Sequence, residues 1–271
     1  MKRIIIPTDF SQNARLALDY AINNFNDTST VFWLTHIYRM PYSGAVVSVD
    51  LDNLLKEDRE EDIRKELAAA RERFPNVQIK GHAIQGTFID VISKIVENES
   101  IEMIVMGTTG ATGAKGVLLG SNAANVVKHA TVPVLLYPND CGVMSTKKIV
   151  FATDLKHVKG YETFQPIRQI VKGTGSKLDI LHLDSSKDDA MSIERETLRL
   201  DTIFLDLPHG FHSKELKVAE EDILDYAHEA DADLIAIVAR NYGFLERIVH
   251  RSTSRKLSML TDVPLLILRE H

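Results

Sequence analysis

The segment KRIIIPTD at residues 2–9 returns as KKIVFATD at residues 147–154, and this repeat decides the fold. Each copy begins with basic residues, continues as an unbroken apolar run and ends in Thr-Asp. Unbroken apolar runs are typical of strands that are buried on both faces of a parallel sheet. The two halves also end alike, in TVPVLL at residues 131–136 and in TDVPLLI at residues 261–267. The sequence therefore predicts two copies of one α/β unit.

Strand and helix patterns alternate between these landmarks. The predicted strands are 2–7, 30–37, 77–83, 101–106, 133–137, 148–153, 176–183, 202–207, 233–238 and 264–268. The predicted helices are 12–25, 51–74, 87–98, 120–130, 159–172, 189–199, 213–230 and 250–260. This alternation predicts parallel sheets with right-handed crossovers, in two packed copies. We expect two tandem doubly wound domains, each with a five-stranded parallel sheet of order 3-2-1-4-5 flanked by helices. We place the domains at residues 1–140 and 146–271, on either side of the turn-rich segment PNDCG at 138–142.

The composition argues against several classes of protein. With 271 residues, each half is long enough to bury a core of ordinary size. The formal net charge of −6 argues against nonspecific binding to nucleic acid or to an acidic membrane as the main task. The single cysteine, Cys141, excludes intrachain disulfides and cysteine-rich zinc sites, and we expect an exposed thiol there. No apolar run approaches the length that spans a bilayer, so we expect a cytoplasmic protein.

A glycine-rich segment follows the fourth predicted strand of the first half only. Its spacing is G-x2-G-x9-G-S, at Gly107, Gly110, Gly120 and Ser121. Glycines allow backbone N–H groups to approach an anion closely. A helix that begins directly afterwards adds unpaired N–H groups and the positive end of its dipole. The segment predicts a phosphate-binding loop; the alternative is a loose loop with a helix cap.

The order 3-2-1-4-5 brings Asp9 opposite this loop, because ligands of such sheets bind beyond the carboxyl ends of strands one and four. The Asp9 carboxylate could accept hydrogen bonds from ribose hydroxyls, and Ile37 at the end of strand two could close an apolar slot for adenine. Asp9 has an equally good alternative role as a partner of the first helix, for which Ser11 is the expected N-cap.

These residues resemble the universal stress protein family, in particular its ATP-binding branch. The resemblance includes IPTDFS at 6–11, THI at 35–37, VPVL at 132–135 and the glycine spacing, and the whole chain resembles a tandem pair of such domains. It implies an ATP site formed by Pro7, Thr8, Asp9, Ile37, Met106, Gly107, Gly110, Gly120, Ser121 and Asn122. Because clustered phosphate charge needs a cation besides N–H donors, we expect Mg²⁺ or Mn²⁺ to bridge the phosphates.

The resemblance also implies a role for each part of this site. The aspartate at position 9 contacts the ribose, and the backbone of Ile37 holds the adenine. The first glycine lies close to the ribose, whereas the later glycines and the serine bind the phosphates.

The second half departs from the pattern. A shift of 131 residues places Val238, Asn241 and Arg251 at the three glycine positions, and only Ser252 matches Ser121. Side chains at these positions would obstruct a close approach of the backbone to phosphates. Asp154 repeats Asp9, but a capping role explains it equally well. We therefore predict one nucleotide per chain, bound in the first half.

A weaker motif is HGFH at residues 209–212, which has the length of the nucleotidyl-transferase signature H-x-G-H. Its glycine is one place too early, and no third metal ligand is evident. We therefore expect two surface histidines that precede a helix, and neither catalytic residues nor protein ligands of a metal are predicted.

The function that fits best is that of a cytoplasmic, ATP-binding regulatory protein of the stress response with a protein partner still to be identified. The alternatives are a slow ATP hydrolase or phosphotransferase, and a scaffold that binds no nucleotide. No general base is evident beside the γ-phosphate, which favours binding over turnover. The fifth strands, 132–137 and 263–268, would lie at sheet edges, and exposed apolar edges favour pairing. In single-domain members of the family two chains pair through this strand, so the resemblance implies that the two halves pair with each other about a pseudo-twofold axis within the chain. A homodimer of chains would use a separate surface.

Overall fold

The structure is a computed structural model that describes residues 2–40, 49–108, 119–139, 141–184, 189–239 and 263–270. The strands are β1 Arg3–Thr8, β2 Val31–Tyr38, β3 Gln78–Gln85, β4 Met103–Gly107, β5 Val134–Tyr137, β6 Lys148–Thr153, β7 Lys177–Asp184, β8 His209–Glu215, β9 Leu234–Val238 and β10 Leu265–Leu268. The helices are α1 Gln12–Phe25, α2 Val49–Arg73, α3 Phe88–Asn98, α4 Ser121–His129, α5 Gln165–Thr174, α6 Ala190–Phe204 and α7 Ala219–Glu229. A 3-10 turn, Tyr161–Phe164, precedes α5.

All of these strands belong to one sheet, of order β3-β2-β1-β4-β5-β10-β9-β6-β7-β8. Within each half the neighbouring strands are parallel, and both halves have the order 3-2-1-4-5. Helices α1, α2, α5 and α6 cover one face of the sheet, and α3, α4 and α7 cover the other. The predicted fold class, two tandem doubly wound units, is confirmed.

The two halves are joined by antiparallel pairing of β5 and β10. Leu265 lies opposite Leu136, and Leu266 lies opposite Leu135. These side chains are at most 6% exposed, so the pairing places two apolar strand edges in the centre of the sheet. Tyr20 of α1 supports the junction, because its hydroxyl lies 2.7 Å from Oγ1 of Thr146. The expected pairing of the fifth strands is therefore present.

One predicted strand, 202–207, is wrong. Helix α6 continues to Phe204, and the third strand of the second half is β8, His209–Glu215. The buried residues Leu200, Ile203, Phe204 and Leu207 follow one another at helical spacing, and a short apolar run of this kind resembles a strand. Strand β8 lies at the end of the sheet and is largely exposed, so its sequence is polar and lacks the apolar run that predicts a buried strand.

The structure also differs from the sequence predictions in smaller ways, next to β8 and in the linker between the two halves. The predicted helix 213–230 begins only at Ala219, because β8 occupies the residues before it. Cys141 is partly buried against the core and is not the exposed thiol expected. The predicted helix 250–260 lies outside the described residues. Strand β5 ends at Tyr137 and β6 begins at Lys148, and domain limits at 140 and 146 stay a prediction. No helix in the described part of the chain is long and apolar enough to cross a membrane.

Candidate functional site

The turn after β1 is fixed by its own side chains. Oγ1 of Thr8 accepts a hydrogen bond from the N–H of Phe10 (3.0 Å), and Oδ1 of Asp9 accepts one from the N–H of Ser11 (3.1 Å). Ser11 is the N-cap of α1, as predicted, since its Oγ accepts from the N–H of Ala14 (3.2 Å). The turn therefore holds Asp9 at the carboxyl end of β1 while one of its oxygens contacts the backbone.

The second half repeats this turn. Oγ1 of Thr153 accepts from the N–H of Leu155 (3.1 Å), and Oδ1 of Asp154 accepts from the N–H of Lys156 (3.2 Å). The residue after the aspartate has a positive φ in both turns, 66° at Phe10 and 46° at Leu155. The Thr-Asp pair thus has a structural role in both halves, and this role explains the aspartate whether or not a ligand is bound.

The end of β4 is packed tightly against α1. A Cβ atom added at Gly107 would lie 2.2 Å from Oδ1 of Asn13, so no larger residue fits without displacing that side chain. Nδ2 of the buried Asn13 donates to the carbonyl of Tyr137 (3.2 Å), which also accepts from the N–H of Thr108 (3.0 Å). Gly107 is therefore required by the protein's own packing as well as by any ligand.

The start of α4 faces the same end of the sheet. Gly120 is its N-cap, with φ −65° and ψ 152°, and its N–H donates to the carbonyl of Thr108 (2.7 Å). No side chain caps this end of α4. The first N–H groups of a helix have no acceptor within the helix, so those of Ser121 to Ala123 are donors for an anion at this position.

A cavity of about 390 Å³ lies between these elements. Its walls come from the ends of β1, β2 and β4 and from the starts of α1, α3 and α4. Nine of the ten predicted site residues line it, namely Pro7, Thr8, Asp9, Ile37, Met106, Gly107, Gly120, Ser121 and Asn122. The tenth, Gly110, lies outside the described residues. The structure thus brings together every predicted site residue that it describes.

Four further residues line the cavity and were not predicted: Ala14, Phe88, Thr108 and Ala123. Phe88 is the first residue of α3, and its aromatic side chain lines the cavity together with Ile37. Ile37 follows His36, the residue of β2 that lies opposite Thr8 at the end of β1. Its signal in the sequence is the pair Gly86-Thr87 before an apolar helix, which marks a helix start but not a ligand. His36 contacts a lining residue of the cavity, because Nδ1 of its ring lies 2.9 Å from the carbonyl oxygen of Thr8.

The sequence profile of the Universal stress protein family matches residues 1–138. The chain belongs to the universal stress protein family. It is 33% identical over 139 residues to Universal stress protein MJ0531 of Methanocaldococcus jannaschii, a match that covers 50% of this chain and 81% of that protein. It is 29% identical over 153 residues to Universal stress protein MJ0577 of the same organism, over 50% of this chain and 93% of the relative.

A solved structure extends the likeness to both halves. The crystal structure of a universal stress protein from Archaeoglobus fulgidus DSM 4304 superimposes with a TM-score of 0.72 at 21% sequence identity. The superposition covers 99% of this chain and 96% of that chain. At this identity the likeness shows the fold alone: the second half has the architecture of the family even though its glycine positions differ.

The histidines of the HGFH segment do not form a joint site in this universal stress protein. His209 and His212 lie three residues apart on β8, so their side chains leave opposite faces of the sheet. Nε2 of His209 lies 3.1 Å from Oδ1 of Asp201, whereas Nε2 of His212 lies 3.5 Å from Oδ1 of Asp179. The two histidines lie within β8 and not directly before a helix, since α7 begins only at Ala219. His212 is exposed as expected, whereas His209 is partly buried. Within the described ranges, no group of three His, Cys, Asp or Glu residues could hold a metal ion.

Proposed function

We propose that this universal stress protein binds one molecule of ATP per chain, in the cavity of the first half, and acts as a nucleotide-dependent regulatory protein of the stress response. The observation that carries the proposal is the cavity itself. It lies at the carboxyl ends of β1 and β4, where ligands of doubly wound sheets bind, and it ends at the N-terminus of α4.

The two ends of the cavity suit the two ends of a nucleotide. Ile37 and Phe88 provide apolar surface for a purine ring at one end. Asp9 lies between them and Gly107 and provides carboxylate oxygens for ribose hydroxyls. At the other end, Gly120 and Ser121 present the start of α4 to the phosphates.

The charge of the lining supports a role for a divalent cation. The described lining residues include neither lysine nor arginine, and Asp9 is their one carboxylate. Backbone N–H groups alone would face several phosphate charges, so Mg²⁺ or Mn²⁺ bridging the phosphates completes the site. ATP should therefore bind much more weakly in the presence of EDTA.

The same lining favours binding over turnover. Asp9 is held at the ribose end by its contact with the N–H of Ser11, so the described residues supply no carboxylate as general base beside the γ-phosphate. Single-turnover assays with labelled ATP separate the two functions: a regulatory protein retains intact ATP, whereas a slow hydrolase releases phosphate.

Gly120→Arg tests the site, because it imports the residue that the second half has at the aligned position. Backbone strain is not expected, since the φ of Gly120 is −65°. Asn125→Arg is the matched control: it adds the same charge to an exposed position of the same helix, and Asn125 does not line the cavity. Isothermal titration calorimetry should show ATP binding for the wild type and for Asn125→Arg but not for Gly120→Arg. Equal affinity of all three proteins, with unchanged circular dichroism, would reject the site.

A further inference from the structure

Helix α4, whose first N–H groups face the cavity, depends on contacts from outside the helix at both of its ends. It is nine residues long, and isolated helices of this length are not stable in water. Gly120, its N-cap, has no side chain that could accept a hydrogen bond from the first turn. At the other end the chain leaves the helix at Ala130, which has an extended ψ of 136°. The last carbonyl groups of α4 therefore need donors from elsewhere in the protein.

One of these carbonyl groups is bound by a side chain of the second half. Nη2 of Arg269 donates to the carbonyl of Val127, in the last turn of α4. Arg269 directly follows β10, so the contact joins residues that lie 142 positions apart in the chain. Nε of Arg269 is buried as well and has no hydrogen-bond partner among the described residues. Within that part of the chain, the Val127 carbonyl is thus the acceptor for this guanidinium.

The charges of the two groups also suit each other. The carboxyl end of an α-helix is the negative end of its dipole, where a cation is stabilising. Arg269 is partly buried, and this burial lowers the pKa of its guanidinium, because a charge is less favourable away from water. No carboxylate in the described ranges forms an ion pair with Arg269. The end of α4 therefore provides the negative charge that this guanidinium faces there.

The sheet of the second half holds Arg269 in place. The preceding residue, Leu268, is fully buried in β10, and its carbonyl accepts from the N–H of Ala239 after β9 (3.0 Å). The following residue, Glu270, accepts through Oε1 from the N–H of Lys159 in the segment after β6 (3.3 Å). The side chain that contacts α4 is therefore attached to the edge of the second half at which β6, β9 and β10 end.

The first half has no residue that could return this contact. The shift of 131 residues that aligns the two halves places Pro138 opposite Arg269. A proline side chain carries no hydrogen-bond donor, so it cannot bind the end of a helix in the second half. The contact therefore runs in one direction, from the second half to a helix of the half that has the glycine motif.

We propose that the second half regulates the nucleotide affinity of the first half through Arg269, a positioning residue that fixes α4 and the N–H donors at its start. This inference rests on the proposed ATP site. The short helix transmits the effect as one unit, since Ala123 and Val126 are at most 1% exposed and pack it against the sheet. A change in the second half that withdraws Arg269 leaves the Val127 carbonyl without this donor, loosens α4 and weakens phosphate binding. By linkage, bound ATP stabilises the contact of Arg269 in return.

Calorimetry of the full chain with ATP and Mg²⁺, and separately with adenosine, tests the inference. Arg269→Met removes the donor and the charge, and it should raise the Kd of ATP about fivefold. The Kd of adenosine should stay the same, because a nucleoside has no phosphates for the start of α4 to bind. Arg269→Lys keeps a charge and a donor and should restore part of the lost affinity for ATP. Arg71→Met is the matched control, since Nη2 of Arg71 donates to the carbonyl of Ile79 (3.0 Å) and neither residue lines the cavity; both Kd values should remain those of the wild type.

The possible outcomes separate this inference from the proposed function. If the wild type binds ATP and Arg269→Met binds it equally well, or loses affinity for ATP and adenosine to the same extent, the inference is overturned while the ATP site stands. If the wild type binds no ATP, the proposed function fails and the inference fails with it. Unchanged binding of adenosine also shows that the variant is folded.

Hydrogen exchange of the ligand-free protein tests the physical step by itself. Arg269→Met should increase deuterium uptake at residues 121–129, because α4 has lost a contact at its carboxyl end. Uptake at residues 88–98, in α3, should stay the same. Equal uptake of the wild type and the variant at residues 121–129 would show that Arg269 does not fix α4, and it would overturn the inference whatever the affinity for ATP.

Discussion

Gly107→Ala tests whether this glycine is required by the packing of the protein itself. The added Cβ would lie 2.2 Å from Oδ1 and 2.7 Å from Cγ of Asn13, so the Asn13 carboxamide must move. Asn13 is 3% exposed, and it would lose its hydrogen bond to the carbonyl of Tyr137 inside the protein. Loss of a buried hydrogen bond and displacement of a buried amide together cost about 2 kcal/mol. Urea unfolding should therefore show this loss in the ligand-free protein, and the melting temperature should fall by about 4 to 8 °C.

A double-mutant cycle identifies the cause. Asn13→Ala alone should destabilise by about 1 kcal/mol, because the Tyr137 carbonyl still accepts from the N–H of Thr108. Once the carboxamide has been removed, the nearest remaining atom is the backbone carbonyl carbon of residue 13, 3.3 Å from the added Cβ. Gly107→Ala should then cost much less than in the wild type, with a coupling energy of more than about 1 kcal/mol. If Gly107→Ala destabilises equally with and without the Asn13 side chain, the packing argument is refuted.

Two further substitutions test contacts at other places in the fold. Ser11→Ala removes the N-cap hydrogen bond of α1 and should lower the unfolding free energy in urea by about 1 kcal/mol. Thr87→Ala is the control, because Thr87 is an N-cap without a side-chain hydrogen bond, and it should change the unfolding free energy little. Equal losses for the two variants would contradict the capping role of Ser11. Hydrogen bonds from Lys172 and Arg168 lower the pKa of Asp206 to about 2. Because the folded-state pKa is depressed, this stabilisation is complete above the unfolded pKa of about 3.9 and is lost as the pH falls through about 2. The difference in unfolding free energy between the wild type and Asp206→Asn should therefore be constant near neutral pH, decrease as the pH falls below about 4 and reach its minimum below about pH 2. A difference that does not decrease over this range would show another cause.

The fold could be predicted because strands that are buried on both faces of a parallel sheet have continuous apolar sequences. KRIIIPT and KKIVFAT contain the first strands of the two halves, and the alternation of strands and helices indicates that the strands within each half are parallel. The strand predicted at residues 202–207 is wrong because here the apolar run belongs to a helix and the neighbouring strand is polar. There a helix buries a short apolar run, while the adjacent edge strand β8 is polar on its exposed positions, so local sequence favours the wrong element.

The candidate site could be predicted for residues whose spacing is set by the backbone and not for those that are brought near by packing. Gly107 and Gly120 are recognisable from their positions around β4 and α4. Phe88 is not, because an aromatic residue at the start of α3 is equally compatible with an ordinary core contact. The structure also adds a second reason for a residue already predicted: Gly107 makes room for Asn13, a contact between residues 94 positions apart in the sequence.

The pairing of β5 with β10 has a consequence for how the two halves can change over time. If separate chains paired in this way, dilution would part them, and any substitution would appear in both copies at once. A peptide linkage keeps the partner at a fixed, high effective concentration, so the pair persists in dilute solution. It also lets a substitution alter one copy while the other keeps its sequence. The second half could thus lose its glycines without affecting the first, and a pair that began as two equal members could acquire two different tasks.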